Sequence, residues 1–301
     1  MEVVSSLLNR SEFAVDKELS GIASDNGLRV FPKVRLSDVI QKGRSLLTQG
    51  EFGFYTRSHF DFVLADEAAR PLMAIEYDGP VHSQSEVQRE RDAIKNKICQ
   101  QADFGLLRIN DRYVTKLDGG MTLLRWIIEV RQVAKAFDEA QVSGQIPWDE
   151  PFDPTFVQPG AHAESFPYWL SKNSIQSIHS FFDGLDRSVP KGWTSICGAD
   201  EKGNEFRGSY LYFGEEVLWV ETGMKKQNLD MGLSDLLREI DTCELGVCLQ
   251  KYREGKISSR PKQRFLPIFQ RFCEKYRAQP SFSSGTDPFH CSWNPKSGWR
   301  F

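Results

Sequence analysis

Apolar side chains follow two different spacings in the first half of the chain, and these spacings predict both strands and helices. Residues 58–65 alternate around apolar positions and 72–77 form a second apolar run, so 66–71 is expected to be a β-hairpin loop. Positions three and four apart indicate helices on either side. The predicted elements are a helix over 12–23 with Ser11 as N-cap, strands over 28–34, 58–65 and 72–77, a helix over 85–102, a strand over 106–109 and a helix over 122–139. This order predicts an α/β domain with a mixed sheet packed against helices.

The second half differs in character, and a proline-rich stretch precedes it. Repeated loss of the backbone donor prevents long helices around Pro147, Pro151, Pro154, Pro159 and Pro167. Beyond them, turn signals separate three strands of a predicted antiparallel meander, over 193–198, 206–213 and 217–221, with covering helices over 230–240 and 261–277. We therefore predict an α/β domain over 1–140, a linker over 141–167 and a smaller α+β domain over 168–301.

The overall composition is that of an ordinary globular protein. The 301 residues include 38 Lys or Arg and 41 Asp or Glu, and 40% are hydrophobic. These values exclude a strongly basic coat protein and a disordered chain. No uncharged apolar run approaches a membrane span, the first residues lack signal-peptide features, and the six cysteines are scattered. The expectation is a cytoplasmic protein with reduced thiols and no membrane partner.

The basic residues are concentrated near the end of the chain. Residues 251–301 hold 11 of the basic side chains and three of the acidic ones, and the densest part includes Arg260, Lys262 and Arg264. A basic face with interleaved aromatic residues is typical of nucleic-acid binding. An amphipathic helix is the alternative interpretation, with Phe265, Ile268, Phe269 and Phe272 facing a core. The two interpretations are compatible.

Acidic residues lie on both strands of the predicted hairpin. A symmetric loop pairs Asp61 with Glu76 and His59 with Asp78. Because paired residues share a face, with Cβ atoms about 5 Å apart, three carboxylates and an imidazole would share one patch. A divalent cation would relieve the repulsion, and oxygen ligands favour Mg²⁺ or Mn²⁺. The alternative is an ordinary hairpin whose acidic residues face solvent.

The order of these residues resembles a known nuclease superfamily. The motif runs through Asp61, Glu76-x-Asp78-Gly79, His82, Arg91-Asp92 and Gly105-Leu106-Leu107-Arg108. Upstream, Ser11-Glu12 and the segment 30–36 are also similar. Over about residues 8–112 the combination resembles the PD-(D/E)XK nuclease superfamily, in particular very-short-patch-repair endonucleases and a related bacterial domain family.

The resemblance implies a restriction-endonuclease-like αβββαβ core with a glutamate on its first helix, here Glu12, and metal ligands at Asp61 and Glu76. The superfamily's usual lysine, two residues after the second acid, is Asp78 in this chain. His82 is therefore the candidate for activating the water or stabilising the leaving oxygen, with a loop-capping role as its alternative.

Cations on the helix that follows His82 are the remaining candidates. Lys95 or Lys97 would be a displaced catalytic lysine, and Arg91 would offset phosphate charge, with a helix-surface ion pair as its alternative. The candidate catalytic residues are thus Glu12, Asp61, Glu76, Asp78, His82 and Lys95. The candidate nucleic-acid contacts are Arg91, Lys97, Arg260, Lys262 and Arg264.

The prediction is an Mg²⁺-dependent or Mn²⁺-dependent endonuclease of the PD-(D/E)XK type acting on DNA, with a second domain that helps to select substrate. The resemblance implies a role in restriction, repair or defence. Cutting of both strands would favour a homodimer. The first alternative is a catalytically inactive nucleic-acid-binding module that retains the nuclease fold. A protein-interaction scaffold is the second, and it predicts negligible salt dependence of nucleic-acid binding.

Overall fold

The chain forms two compact units, each with its own sheet. The computed structural model describes residues 8–41, 47–79, 86–117, 120–155, 168–184, 191–285, 289 and 291–300. The first unit is Met1–Tyr168 with Gln227–Met231, and the second is Trp169–Lys226 with Gly232–Phe301. All six cysteines are free thiols. Within the described ranges, no helix has both the length and the apolar character needed to cross a bilayer.

The first unit is a four-stranded mixed sheet flanked by helices, as predicted. The sheet order is β1-β2-β3-β4, and only the β3–β4 pair is parallel. Its elements are α1 (Arg10–Asp25), β1 (Leu28–Arg35), α2 (Leu36–Val39), α3 (Gln49–Arg57), β2 (His59–Asp66), β3 (Pro71–Tyr77), α4 (Glu86–Gln101), β4 (Gly105–Ile109), α5 (Asp111–Val114) and α6 (Leu123–Val142).

Side-chain caps set the beginnings of two helices. The N-cap of α1 is Asn9, so the prediction of Ser11 was wrong: Asn9 accepts a hydrogen bond from the Glu12 amide, and Glu12 Oε2 accepts one from the Asn9 amide. Thr48 and Glu51 form the same capping box at α3. The apolar pattern did not predict α3, which contains two glycines, and the capping box was the available signal.

The predicted register of the β2–β3 hairpin is confirmed. Phe62 pairs with Ile75, Val63 with Ala74 and Leu64 with Met73, before a bulge at Leu64/Ala65. The core on the α3–α4 side of the sheet includes Phe60, Val63, Ala74, Ile98 and Leu106.

A short distant segment completes the first unit at the free edge of β4. Leu106 donates its amide to the Asn228 carbonyl at 2.7 Å, and the Arg108 amide donates to Gln227 Oε1 at 2.8 Å. These bonds satisfy backbone groups at a sheet edge.

The second unit is a five-stranded antiparallel sheet of order β8-β7-β6-β5-β9, and it contains the predicted meander β5-β6-β7. Its elements are α7 (Lys172–Asp183), β5 (Lys191–Ala199), β6 (Glu205–Phe213), β7 (Glu216–Met224), α8 (Ser234–Arg253), β8 (Arg260–Pro261), α9 (Lys262–Tyr276), β9 (Gln279–Gly285) and the separate pair β10 (Ser292–Asn294) and β11 (Gly298–Arg300). The predicted helix 230–240 overlaps the longer α8 from Ser234 onward, whereas residues 230–233 precede the helix.

The amphipathic interpretation of α9 is confirmed. Phe265, Phe269 and Phe272 are buried in one cluster with Tyr210. Trp219 packs against the same three phenylalanines. On the polar side of α9, Arg264 is exposed, and Lys262 is half-buried with its ammonium over the Phe289 ring.

A buried polar cluster lies between α8 and the sheet of the second unit. Asp241 on α8 is 1% exposed and accepts a hydrogen bond from the hydroxyl of Ser209, which contacts that of Ser195. The Nε atom of Arg207 is 4.0 Å from Asp241 Oδ2. Burial raises the pKa of Asp241 to about 7, although the Ser209 hydrogen bond and the Arg207 charge oppose this.

We expect the Asp241 carboxyl to make stability depend on pH. Because folding raises its pKa, the folded state holds more protons, so its contribution is complete below about pH 4 and is lost as pH rises through about 7. The free energy of unfolding of the parent should fall by on the order of 2 kcal/mol from pH 5 to 8 relative to Asp241→Asn. Urea unfolding of both proteins at both pH values measures this, and parallel pH profiles would contradict it.

Candidate active site in the first unit

Asp61 and Glu76 face each other where the ladder between β2 and β3 ends. The last ladder pair is Phe62 with Ile75, and the same register places Asp61 opposite Glu76. The Asp61 amide donates to Glu76 Oε1 at 3.3 Å, and the Tyr77 amide donates to Asp61 Oδ2 at 3.0 Å. Each carboxylate therefore accepts a hydrogen bond from a backbone amide of the neighbouring strand, in the place of the backbone carbonyl that would accept it in a continuing ladder. These hydrogen bonds fix the orientation of both carboxylates.

Lys95 neutralises Glu76 inside the fold. Both residues are buried, and Lys95 Nζ donates to Glu76 Oε2 at 2.7 Å and to the His59 carbonyl at 2.9 Å. Burial raises the pKa of Glu76; the charge of Lys95 opposes this and that of Asp61 adds to it. Of the two candidate lysines, Lys95 is thus the one that contacts the carboxylate pair.

Lys33 joins Asp61 to α1. Its Nζ donates to Asp61 Oδ1 at 2.8 Å and to Glu12 Oε1 at 2.7 Å. Partial burial lowers the pKa of Lys33, but the hydrogen bonds to Asp61 and Glu12 raise it overall. The sequence prediction included Lys33 only within a matching segment and gave it no role. We call Glu12, Lys33, Asp61, Glu76 and Lys95 the carboxylate–lysine cluster.

Asp78 belongs to a separate ionic network. Its carboxylate is 3.2 Å from Arg108 Nη1, which is also 3.3 Å from Asp92. The His59 side chain is exposed, and His59 contributes its carbonyl oxygen to Lys95. Of the expected patch, Asp61 and Glu76 are joined by a hydrogen bond from the Asp61 amide, Asp78 pairs with Arg108, and the His59 side chain is exposed. Glu12 is an additional carboxylate, joined to Asp61 through Lys33.

The remaining predicted residues are distributed over both units. His82 lies outside the described residues. On α4, Arg91 is exposed and Lys97 pairs with Glu51 of α3 at 2.6 Å, whereas the side chain of Lys95 is directed to Glu76. Arg260, Lys262 and Arg264 lie in the second unit, at β8 and the start of α9.

The donor set of the cluster suits a hard divalent cation. Mg²⁺ in proteins is commonly bound by one or two carboxylates, with waters and substrate phosphate completing its octahedron. Asp61 and Glu76 supply two carboxylates held side by side. Among the described residues, no group of three or more His, Cys, Asp or Glu side chains is arranged to hold a metal by itself. A cation there would depend on non-protein ligands.

Comparison with known families covers the same part of the chain. Residues 4–118 match a family model described as Protein of unknown function (DUF2726). This segment contains the whole carboxylate–lysine cluster. No curated protein and no solved structure matches the chain.

Replacing Lys95 should destabilise the protein. Lys95→Met leaves the Glu76 carboxylate buried without its counter-charge, and breaking a buried pair in this way typically costs about 3 kcal/mol or more. Lys97→Met is the matched control, because it removes the same charge from the same helix but breaks an ion pair with a half-exposed lysine. Urea unfolding should show a much larger loss for Lys95→Met, and equal losses would contradict the importance of the buried pair.

Proposed function

We propose that the first unit is an Mg²⁺-dependent or Mn²⁺-dependent endonuclease of the PD-(D/E)XK type that hydrolyses DNA. The observation that carries the proposal is the pair Asp61 and Glu76, whose carboxylates accept hydrogen bonds from backbone amides where the β2–β3 ladder ends. The buried Lys95 donates a hydrogen bond to Glu76. In an ordinary hairpin with one wet face the acidic side chains lie in solvent, whereas Glu76 is buried and paired with Lys95 beside the second carboxylate.

The order of elements supports this proposal. The sequence of α1, β1, β2, β3, α4 and β4 agrees with the αβββαβ core that the resemblance implies, and α2 and α3 are additional elements between β1 and β2. The restriction-endonuclease-like core is therefore part of the proposal. Glu12 on α1 lies close to Asp61, since both accept from one ammonium group.

The residues of the cluster have distinct parts in the proposed reaction. Asp61 and Glu76 would hold the cation, which lowers the pKa of a bound water and stabilises charge on the scissile phosphate. Lys95 opposes the rise that burial causes in the pKa of Glu76 and orients its carboxylate, and Glu12 helps to position the charges around Asp61 through Lys33. His82 remains our candidate for proton transfer to or from the water or the leaving oxygen.

The second unit would contribute binding to the DNA backbone. The face around Arg260, Lys262 and Arg264 is basic, while the apolar face of α9 is used by the core. Arg91 is an exposed cation on α4 of the first unit, and Lys97 on the same helix would have to leave Glu51 in order to contact phosphate. A role in restriction, repair or defence, and a homodimer that cuts both strands, are extensions of this proposal.

One observation favours the inactive binding module. Each oxygen of Asp61 and Glu76 already accepts a hydrogen bond, two of them from ammonium groups. In addition, the residue at the superfamily's usual lysine position is Asp78, which pairs with Arg108. A site balanced by its own lysines would bind nucleic acid without cutting it.

Cleavage separates the two functions. With Mg²⁺ or Mn²⁺, we expect the parent to nick supercoiled plasmid, and Asp61→Asn or Glu76→Gln to lose activity by at least a hundredfold because each removes a charged ligand. Asp66→Asn is the control at the other end of the same strand, where Asp66 forms a surface ion pair with the exposed Arg70. Equal nicking by the parent and the three variants, or no nicking by any of the four proteins, would overturn the enzyme assignment.

Salt dependence tests the proposed DNA contacts. Replacing Arg260, Lys262 and Arg264 together by Gln should weaken binding to a short duplex and reduce the slope of log K against log salt by about 2 to 3, roughly one per phosphate contact. The control triple Lys172→Gln, Lys202→Gln and Lys296→Gln removes the same charge from exposed positions of the same unit. Fluorescence anisotropy at several salt concentrations measures both, and identical slopes would exclude the face around α9.

A further inference from the structure

Lys33 has a backbone conformation that is unusual for its place in the fold. Its φ is 54°, in the left-handed region that residues other than glycine rarely adopt. The other described residues of this kind, apart from glycines, lie at turns or helix ends: Ala69 in the β2–β3 loop, Asp103 after α4 and Arg277 after α9. Lys33 alone among these four lies inside a strand.

The strand itself does not require this conformation. On either side of Lys33, Pro32 pairs with Phe62 and Val34 with Phe60, in an unchanged register. No residue is inserted, so a bulge does not explain the left-handed backbone. The position opposite Lys33 is that of Asp61, and the side chain spans from this residue to Glu12. Strain of this kind is commonly found where a site requires a particular side-chain position.

The two lysines of the cluster differ in how easily they can leave. Lys95 is buried and would become an unpaired charge in the interior if its contacts were lost, which is strongly unfavourable. The side chain of Lys33 is 40% exposed, so its ammonium can move into water. The cluster contains three carboxyl groups and two lysines, so one carboxyl group is in excess. Of the two lysines, Lys33 is therefore the exchangeable counter-ion.

We propose that Lys33 is a built-in counter-ion, held by its strained backbone between Glu12 and Asp61, which a divalent cation displaces when it binds to the cluster. This inference rests on the proposed metal site. Lys33 is a positioning residue: it keeps the carboxylates together without a cation and competes with a cation for Asp61. Metal binding and release of Lys33 are thus coupled, and the cation affinity of the parent is lower than that of the same carboxylates without Lys33.

Calorimetric titration of the full chain with Mn²⁺ tests the competition. Lys33→Met removes the ammonium and should bind Mn²⁺ on the order of tenfold more tightly, because a positive charge in contact with a ligand is lost. Lys33→Arg keeps the charge and should stay near the parent. Arg29→Met removes one charge from the same strand, where the guanidinium lies over the Phe31 ring, and should also leave the affinity near the parent.

Thermal unfolding supplies a second readout that does not depend on activity. Without Mn²⁺, Lys33→Met should melt below the parent because the carboxylates repel one another, and saturating Mn²⁺ should raise its midpoint by more than that of the parent. Lys33→Gly also removes the ammonium, and glycine adopts a positive φ without strain. It therefore makes the same comparison without backbone strain, and it replaces Lys33→Met if that variant does not fold.

The outcomes separate the two proposals. Mn²⁺ affinity in Lys33→Met and Lys33→Gly that is equal to or weaker than in the parent would overturn the counter-ion role and leave the metal site standing. Absence of Mn²⁺ binding to the parent and to every Lys33 variant would overturn the metal site and the counter-ion together. Loss of the tightened binding when Asp61→Asn is added to Lys33→Met would locate the competition at Asp61.

Discussion

The buried carboxylate of Glu76 is the constraint on which the first unit depends. A charge in that position is tolerated only beside an opposite charge, and Lys95 supplies it from a helix on the α3–α4 side of the sheet. The same ammonium holds the His59 carbonyl at the start of β2. One ion pair therefore joins α4, β2 and β3 at the point where the two strands stop pairing, and the neighbouring Asp61 is held in a fixed relation to all three.

A second level of charge balance surrounds the first. Lys33 links Asp61 to Glu12, and Glu12 also caps α1 through its other oxygen. The N-terminus of α1 is thereby tied to β1 and β2. Arg108 forms a further part of this balance, since it pairs with both Asp78 and Asp92 and its charge also opposes the rise that burial causes in the pKa of Glu76.

The second unit handles its buried charge differently. Asp241 has a charged partner in Arg207, whose Nε is 4.0 Å from Asp241 Oδ2, and the Ser209 hydroxyl donates a hydrogen bond to the carboxylate. Burial raises the pKa of Asp241 to about 7, and the group titrates near neutrality. In the first unit, by contrast, Glu76 and Lys95 are in direct contact.

The sequence by itself determined those strands of both sheets in which apolar and polar residues alternate or apolar residues form a continuous run. It also determined the register of the β2–β3 hairpin and the placement of Asp61 opposite Glu76. These follow from local spacing, because side chains alternate along a strand and a short symmetric loop leaves little choice of partner. It also indicated α9, whose apolar residues recur at helical spacing. Glycine-containing α3 had no comparable apolar pattern, and its local signal was the capping box of Thr48 and Glu51. The exposed edge strand β9 is defined by its pairing with β5.

Only the tertiary structure decided how the charges are matched. The choice of Lys95 over Lys97 depends on which face of α4 meets β3, and the role of Lys33 depends on a left-handed backbone that no spacing rule predicts. The return of Gln227–Met231 to the edge of β4 joins residues more than one hundred positions apart. Such contacts are set by the free energy of burying and pairing polar groups in the whole fold, which local sequence patterns do not contain.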